Sequence, residues 1–137
     1  VELELGKAYV IDEGTDVSII ACGLEVTEAR KAAEKLAEEG ISAEVIDAIS
    51  VKPLDTDTIL ASLAKTGCAV VAEEHSIYGG LCSAVSELCA ESQPTPLEFV
   101  AVRDRFGKSG EFEELMVYFA LDADSIVQAA KKALTRK

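Results

Sequence analysis

The sequence contains no asparagine, no Gly-Asp pair and a single histidine, His75. A Mg²⁺-binding loop that begins Gly-Asp-Gly and closes on Asn therefore cannot be encoded in it. The four cysteines form no Cys-x-x-Cys pair, and one histidine adds little to a zinc site. These absences predict that the chain supplies no metal ligands of its own.

Basic residues are also scarce, with 13 Lys and Arg against 25 Asp and Glu, so the formal net charge is -12. Because affinity for nucleic acids comes largely from neutralising phosphates, we expect no nucleic-acid partner. No apolar run approaches the roughly 20 residues that span a bilayer. The acidic start "VELELGKAYV" lacks the basic flank and apolar core of a signal peptide, which favours a cytoplasmic location without membrane contact.

What is present is enough apolar material for one core. A chain of 137 residues that is 49% hydrophobic is too short for two ordinary domains, so we expect a single domain over residues 1–137. Cys22, Cys68, Cys82 and Cys89 are interpreted as small buried hydrophobic residues, since a reducing compartment disfavours disulfides.

Four nearly continuous apolar runs are typical of strands buried on both faces: Val17–Cys22, Ala43–Ala48, Cys68–Glu73 and Leu97–Val102. A fifth strand is predicted in "KAYVIDEG" (Lys7 to Gly14). A tight turn joins it to the next strand, so we expect those two strands to pair antiparallel.

Amphipathic helices separate the strands. The first has an apolar face that ends before Gly40, Asp55 is predicted to cap the second, and the last is predicted to begin after Asp122. The predicted inward-facing residues are Val26, Ala29, Ala33, Leu36 and Ala37, then Ile59, Leu60 and Leu63, then Leu81, Ala84, Val85, Leu88 and Cys89, and finally Ile126, Val127, Ala130, Ala133 and Leu134. The alternation of strands and helices predicts a three-layer α/β/α sandwich around a mixed sheet.

The segment "EEHSIYGGL" follows a predicted strand, at the edge where open α/β sheets usually bind ligands. Glu73, Glu74 and His75 are candidates for an acid/base group, and a helix that begins near Leu81 would offer free backbone N–H groups to an anion. The segment matches neither a GxGxxG nor a Walker A sequence, so a phosphate-cradling loop is not specified.

The alternative interpretation of the same segment is structural. Gly79 and Gly80 would then supply positive φ and close approach, while Glu74 and His75 would bond loop backbone or a neighbouring subunit. We favour this interpretation, in which the two side chains brace an interface.

A second polar cluster, "RDRFGKSG", also follows a predicted strand. Arg103, Arg105 and Lys108 could bind a phosphate there, or the arginines could pair with carboxylates of this acidic chain. If both strands are parallel, this cluster and "EEHSIYGGL" lie at the same edge. A third candidate, Lys52, stands beside Pro53 and Asp55, which also suit the start of a helix.

Four quoted segments together resemble the C-terminal domain of transketolase. These are "DVSIIACGLEVTEARKAAEKLAEEGISAEVIDAISVKPLD", "KTGCAVVAEEHSIYGGLCSAVSELCAE", "RFGKSGEFEELM" and "LDADSIVQAAKKAL". The resemblance runs in order over essentially the whole chain. Similar domains occur in deoxyxylulose-phosphate synthase and in the β subunits of 2-oxo-acid dehydrogenases, but "EEHSIYGGL" followed by "FGKSGEFEELM" favours the bacterial and archaeal transketolases, which are often split into two chains. Cys22 and Cys82 stand where the family pattern has Ser, Thr or Gly.

The resemblance implies a five-stranded mixed sheet with one antiparallel strand. It also implies that thiamine diphosphate and Mg²⁺ are held by other domains, so that this domain has no catalytic, cofactor-binding or metal-binding residue. Its implied role is support: packing against the pyrimidine-binding domain and extending the subunit contact in a homodimer or heterotetramer.

The parent reaction implied by the resemblance moves a two-carbon ketol unit from a ketose phosphate to an aldose phosphate. The chain starts close to where the family's third domain starts, so we expect an excised domain that is inactive alone. Two further hypotheses stay open. One is an acidic docking surface, as in a 2-oxo-acid dehydrogenase β subunit, and the other is a regulatory anion site at "EEHSIYGG" and "RDRFGKSG".

Overall fold

The computed structural model of the chain describes residues 6–23, 25–49, 54–76, 80–102 and 122–137. Within these ranges it has five strands and four helices. In chain order they are β1 (Tyr9–Asp12), β2 (Val17–Ala21), α1 (Glu25–Glu38), β3 (Ala43–Asp47), α2 (Thr56–Thr66), β4 (Ala69–Ser76), α3 (Leu81–Ser92), β5 (Leu97–Val102) and α4 (Ala123–Thr135). None of these helices combines the length and apolar character needed to cross a membrane.

The strands form one sheet in the order β1-β3-β2-β4-β5, in which β1 is antiparallel and the other strands are parallel. Helices α1 and α4 pack on one face, and α2 and α3 pack on the other. The predicted α/β/α sandwich with a mixed five-stranded sheet is confirmed.

The predicted pairing of the first two strands is wrong, because β1 pairs with β3. Both edges of β2 are already occupied by β3 and β4, so no place beside it remains for β1. The tight connection instead crosses the amino end of β3. There the Asp16 N–H donates to the Ser42 carbonyl at 2.8 Å, and a Cβ at Gly14 would lie 2.2 Å from the Ala43 carbonyl carbon.

Alternating side chains of the central strands divide the core in two. Ile19 of β2 lies in the cluster under α1 and α4, and Ile20 lies in the cluster under α2 and α3. Both are fully buried, as expected for strands covered on two faces. Full burial of a side chain of this kind stabilises the fold by about 1.5–3 kcal/mol.

The helix predictions hold at most positions. Leu60 and Ala84 were predicted to face inward, but each is only half-buried and belongs to neither core cluster. Ala37 is exposed, and Ala32 is buried in its place, because the buried stripe of α1 runs along Ala29, Ala32 and Leu36. Ile126, Val127, Ala130 and Ala133 of α4 are buried as predicted.

The predicted helix ends are present. The Asp55 and Asp122 side chains accept hydrogen bonds from the backbone N–H groups of Thr58 and Ser125. Gly40 has a φ of 78°, a left-handed conformation in which glycine is the least strained residue.

The four cysteines are all free thiols. Cys68, Cys82 and Cys89 are buried, as predicted, while Cys22 is half-buried at the end of β2. Burial raises the pKa values of the Cys68 and Cys89 thiols, which keeps both in the unreactive protonated form.

Candidate functional site

The candidate site lies at the carboxyl edge of the sheet, where β4 and β5 end side by side. These strands are parallel, and Ser76 pairs with Val102 at the last position of the ladder. The two strands therefore end at the same edge, while the segment that follows β5 lies outside the described residues. Helices α1 and α3 leave this edge toward opposite faces of the sheet, the arrangement at which open α/β sheets usually form a crevice.

Strand β4 is longer than the sequence predicted. The predicted run ended at Glu73, whereas Glu74, His75 and Ser76 also lie within β4, because backbone pairing with β5 continues as far as Ser76. The register shifts between Glu73 and Ser76. A ladder of backbone hydrogen bonds tolerates polar side chains at such a bulge, so the change in composition after Ala72 did not mark the strand end. For Glu74 and His75 the structure describes the backbone alone.

Glu73 is a buried carboxylate, with 1% of its surface exposed. Its two oxygens accept hydrogen bonds from the first backbone N–H groups of α3: Oε2 from Leu81 at 2.9 Å and Oε1 from Cys82 at 2.8 Å. The negative side chain thus lies at the positive end of the helix dipole. Glu73 caps α3 from the neighbouring strand.

Gly80 is the residue that makes this contact possible. A Cβ there would lie 2.7 Å and 2.8 Å from the two carboxylate oxygens of Glu73. Its φ of −108° is open to any residue, so the requirement for glycine is one of space and not of backbone conformation. The predicted close approach at Gly80 is confirmed, whereas the predicted positive φ is wrong.

The interpretation that α3 offers its first N–H groups to an external anion is also wrong for Leu81 and Cys82. The Leu81 and Cys82 donors are already satisfied by Glu73. A glutamate so far ahead of a helix gives no sequence signal of capping, because ordinary caps lie immediately before the first turn. Only the fold brings Glu73 to the helix end.

Several predicted residues lie outside the described ranges: Gly79, Arg103, Arg105 and Lys108, together with Lys52 and Pro53. Their proposed contacts remain predictions.

Glu25 is a second buried carboxylate at this edge, with 2% of its surface exposed in the first turn of α1. Its burial was not predicted from the sequence, since acidic residues in the first turn of a helix are common and favourable without being buried. Nearby, Ile49 adopts a φ of 39°, which is rare for a β-branched residue, and its N–H donates to Asp47 Oδ1 at 3.0 Å.

A second polar cluster occupies the amino edge, under α2, and it was not predicted from the sequence either. The Ser18 hydroxyl lies 2.6 Å from those of both Ser62 and Thr66. Beside them Glu44, with 2% of its surface exposed, accepts hydrogen bonds from Lys65 and from the Gly14 N–H. Ser18 and Glu44 interrupt otherwise apolar strand sequences. That interruption is the sequence signal from which this buried polar cluster could have been predicted.

Burial alone would raise the pKa of Glu44. Hydrogen bonds from Lys65, Ser62 and Gly14 outweigh burial, so the pKa lies below its usual value. The group is held as a structural anion between β3, α2 and the β1–β2 connection. Within the residues that the structure describes, no group of three or more His, Cys, Asp or Glu side chains is arranged to hold a metal ion.

Comparisons with known proteins agree with this architecture. The family model described as "Transketolase, C-terminal domain" matches residues 6–126. The 6-deoxy-6-sulfo-D-fructose transketolase subunit of Clostridium sp. (strain MSTE9) is 48% identical over 136 residues, which are 99% of this chain and 42% of that protein. The 1-deoxy-D-xylulose-5-phosphate synthase 1 of Geobacter sulfurreducens (strain ATCC 51573 / DSM 12127 / PCA) is 41% identical over 138 residues, 99% of this chain and 22% of that protein.

A solved structure of a split gene transketolase, described as an inactive β4 tetramer, matches with a TM-score of 0.91 and 43% identity. The match covers 98% of this chain and 44% of that one, so the chain spans less than half the length of these relatives. From the family match over 6–126 and the relatives aligned along nearly its full length, the chain belongs to the transketolase C-terminal domain family.

Proposed function

We propose that the chain is the C-terminal domain of a transketolase that transfers a two-carbon ketol unit between sugar phosphates. The observation that carries this proposal is the alignment of 99% of the chain, at 48% identity, with a protein named as a transketolase subunit. The match to a split gene transketolase supports the same assignment.

Within that enzyme the domain contributes assembly and not chemistry. At the carboxyl edge, Glu73 is buried, and its two oxygens accept hydrogen bonds from backbone N–H groups of α3, so both are engaged inside the domain. At the amino edge, Glu44 is bonded to Lys65 and Gly14. We propose that the domain supports subunit contacts of a homodimer or heterotetramer in the cytoplasm.

Thiamine diphosphate, the cofactor that the family implies, does not fit the residues of this chain. The sequence has neither the Gly-Asp pair nor the asparagine of the usual Mg²⁺ loop, and the described residues offer no metal cluster. We therefore propose that the cofactor is bound entirely by other parts of the enzyme.

Calorimetry on the isolated chain tests this division. Titration with thiamine diphosphate and Mg²⁺ should give no heat of binding, whereas the complete enzyme should bind both. Micromolar affinity of the isolated chain for thiamine diphosphate would contradict the proposal that other parts of the enzyme bind the cofactor.

The proposed activity is tested on the complete natural enzyme. We expect ketol transfer from a ketose phosphate to an aldose phosphate. The assay measures the formation of both sugar products. Formation of 1-deoxy-D-xylulose 5-phosphate, without ketol transfer, would assign the domain to a synthase of the kind named among its relatives and overturn the transketolase proposal.

Assembly is tested separately by light scattering of the complete enzyme. Deletion of residues 6–137 should lower the oligomeric state or the yield of assembled enzyme. An unchanged oligomer with lost turnover would instead point to a direct part in the chemistry.

A further inference from the structure

Helix α3 begins where an open α/β sheet commonly binds a phosphate or a carboxylate. It starts just beyond the carboxyl end of β4, and the first N–H groups of a helix lack intrahelical partners and carry the positive end of the dipole. In this chain the Glu73 carboxylate, with only 1% of the residue's surface exposed, is directed at those groups. The site therefore already contains an anion.

The other residues at the start of α3 offer no substitute for it. Gly80 has no side chain with which to cap the helix, and the first turn contains no acidic residue. By contrast, α2 and α4 begin on their own aspartates, Asp55 and Asp122. Glu73 therefore provides the hydrogen-bond acceptors that the first N–H groups of α3 would otherwise take from solvent or from a ligand.

The fit between Glu73 and Gly80 shows how closely the carboxylate fills this position. Both oxygens lie within 2.8 Å of the place where a Cβ of residue 80 would stand. An external anion bound to the Leu81 and Cys82 N–H groups would need the same space.

We propose that Glu73 is a built-in ligand of an anion site. Its carboxylate takes the place of an external anion at the N-terminus of α3, and it excludes phosphates from that position while it ties β4 to α3. Removal of the side chain should convert the position into a binding site for a small carboxylate such as formate. This inference is independent of the proposed enzymatic function, because it concerns a contact inside the domain.

The test is hydrogen exchange with mass spectrometry on the complete natural protein, comparing Glu73→Ala with the unchanged sequence. Peptides that contain Leu81 and Cys82 should exchange about tenfold faster or more in the variant, since two backbone donors lose a charged acceptor. Sodium formate should restore most of the protection, and sodium chloride at equal ionic strength should not.

Glu44→Ala is the matched control, because it removes an equally buried strand glutamate that contacts no helix N-terminus. Its exchange should rise near Gly14 and Ser62, and formate should not reverse the change selectively. Equal rescue of both variants, or no rescue of Glu73→Ala, would overturn the proposal.

Two further measurements decide the matter if Glu73→Ala fails to fold. Glu73→Gln retains one acceptor oxygen and should lose protection at one of the two amides, and full protection in this variant would contradict the proposal. Inorganic phosphate added to the unchanged protein should alter no exchange in the peptide that contains Leu81, and increased protection there would show that Glu73 does not exclude external anions.

Discussion

Glu73 and Glu44 are both glutamates of the central sheet with less than 3% of their surface exposed, yet their charges are stabilised in different ways. Glu73 lies at the carboxyl edge and bonds two backbone N–H groups of a helix, so its partners cannot move without unwinding α3. Glu44 lies at the amino edge and bonds the flexible side chain of Lys65, which is 42% exposed. A buried carboxylate thus requires a partner, and either a helix end or a surface cation can serve.

The difference predicts unequal tolerance of substitution. Backbone donors at a helix end are fixed in place, whereas a lysine at the surface can exchange its partner for water. Substitutions that break the Glu73 contact should therefore lower the free energy of unfolding more than substitutions at Glu44. The loss at Glu73 should also depend less on nearby cationic side chains.

The largest effect is expected for Gly80→Ala. The added methyl group would overlap the Glu73 carboxylate and force it away from both N–H groups, which should lower the free energy of unfolding by about 3 kcal/mol. Denaturant unfolding measures the change. In a Glu73→Ala background the same substitution should cost far less, because the overlap is gone. Additive effects in this double-mutant cycle would refute the steric account.

Glu44→Gln should lower the free energy of unfolding by about 2 kcal/mol at pH 7, since a charge-assisted network is weakened. The pKa of Glu44 is lowered in the folded chain. Its stabilising contribution is therefore complete above the unfolded pKa of about 4.3 and is lost as the pH falls through the lower folded value. Chemical denaturation from pH 7 to pH 3 should show this loss in the unchanged protein and a smaller one in the variant. An identical pH dependence in the two proteins would show that Glu44 is not the source of the stability lost at low pH.

Lys65→Met removes the cation and leaves Glu44 with its hydrogen bonds from Gly14 and Ser62. The expected loss is about 1 kcal/mol, because the lysine is half-exposed and water replaces part of its interaction. High salt should reduce the difference between variant and unchanged protein. A loss larger than that of Glu44→Gln would mean that the uncompensated buried charge dominates, and it would reverse the expected order of the two variants.

Lys35→Met should have the smallest effect. Lys35 pairs with Asp124 across the outer surfaces of α1 and α4, with both side chains about half-exposed or more. Thermal melting should give a value within about 1 °C of the unchanged protein, as is usual for exposed pairs. A clear drop would show that the surface pairs between α1 and α4 matter more than the buried networks suggest.

Local patterns in the sequence predicted most of the strands and helices. Continuous apolar runs such as Val17–Ala21 predicted doubly covered strands, and Asp55 and Asp122 predicted two helix starts, because each of these signals acts over a few residues. The partner of β1 was not predictable in this way. It depended on β4 occupying the second edge of β2, which is a property of the assembled sheet.

The sequence indicated where a site could lie but not which contacts form there. The run Glu73 to Gly80 correctly indicated the edge of the sheet, yet the same letters suit an acid/base group, an anion site or a structural contact. The helix N–H groups that seemed available to a ligand are taken by Glu73. That contact joins residues of two different elements and exists only once β4 and α3 have packed.

By itself the sequence determined the class of fold, the net negative charge, the positions of most strands and helices, and the absence of the usual Mg²⁺ loop, since composition and short-range periodicity suffice for these. The tertiary structure alone decided which strands are neighbours, which carboxylates are buried and what neutralises each of them. The physical reason is that burial and partner choice depend on groups distant in sequence, such as Ser18 and Thr66 or Gly14 and Glu44, which meet only when the sheet is complete.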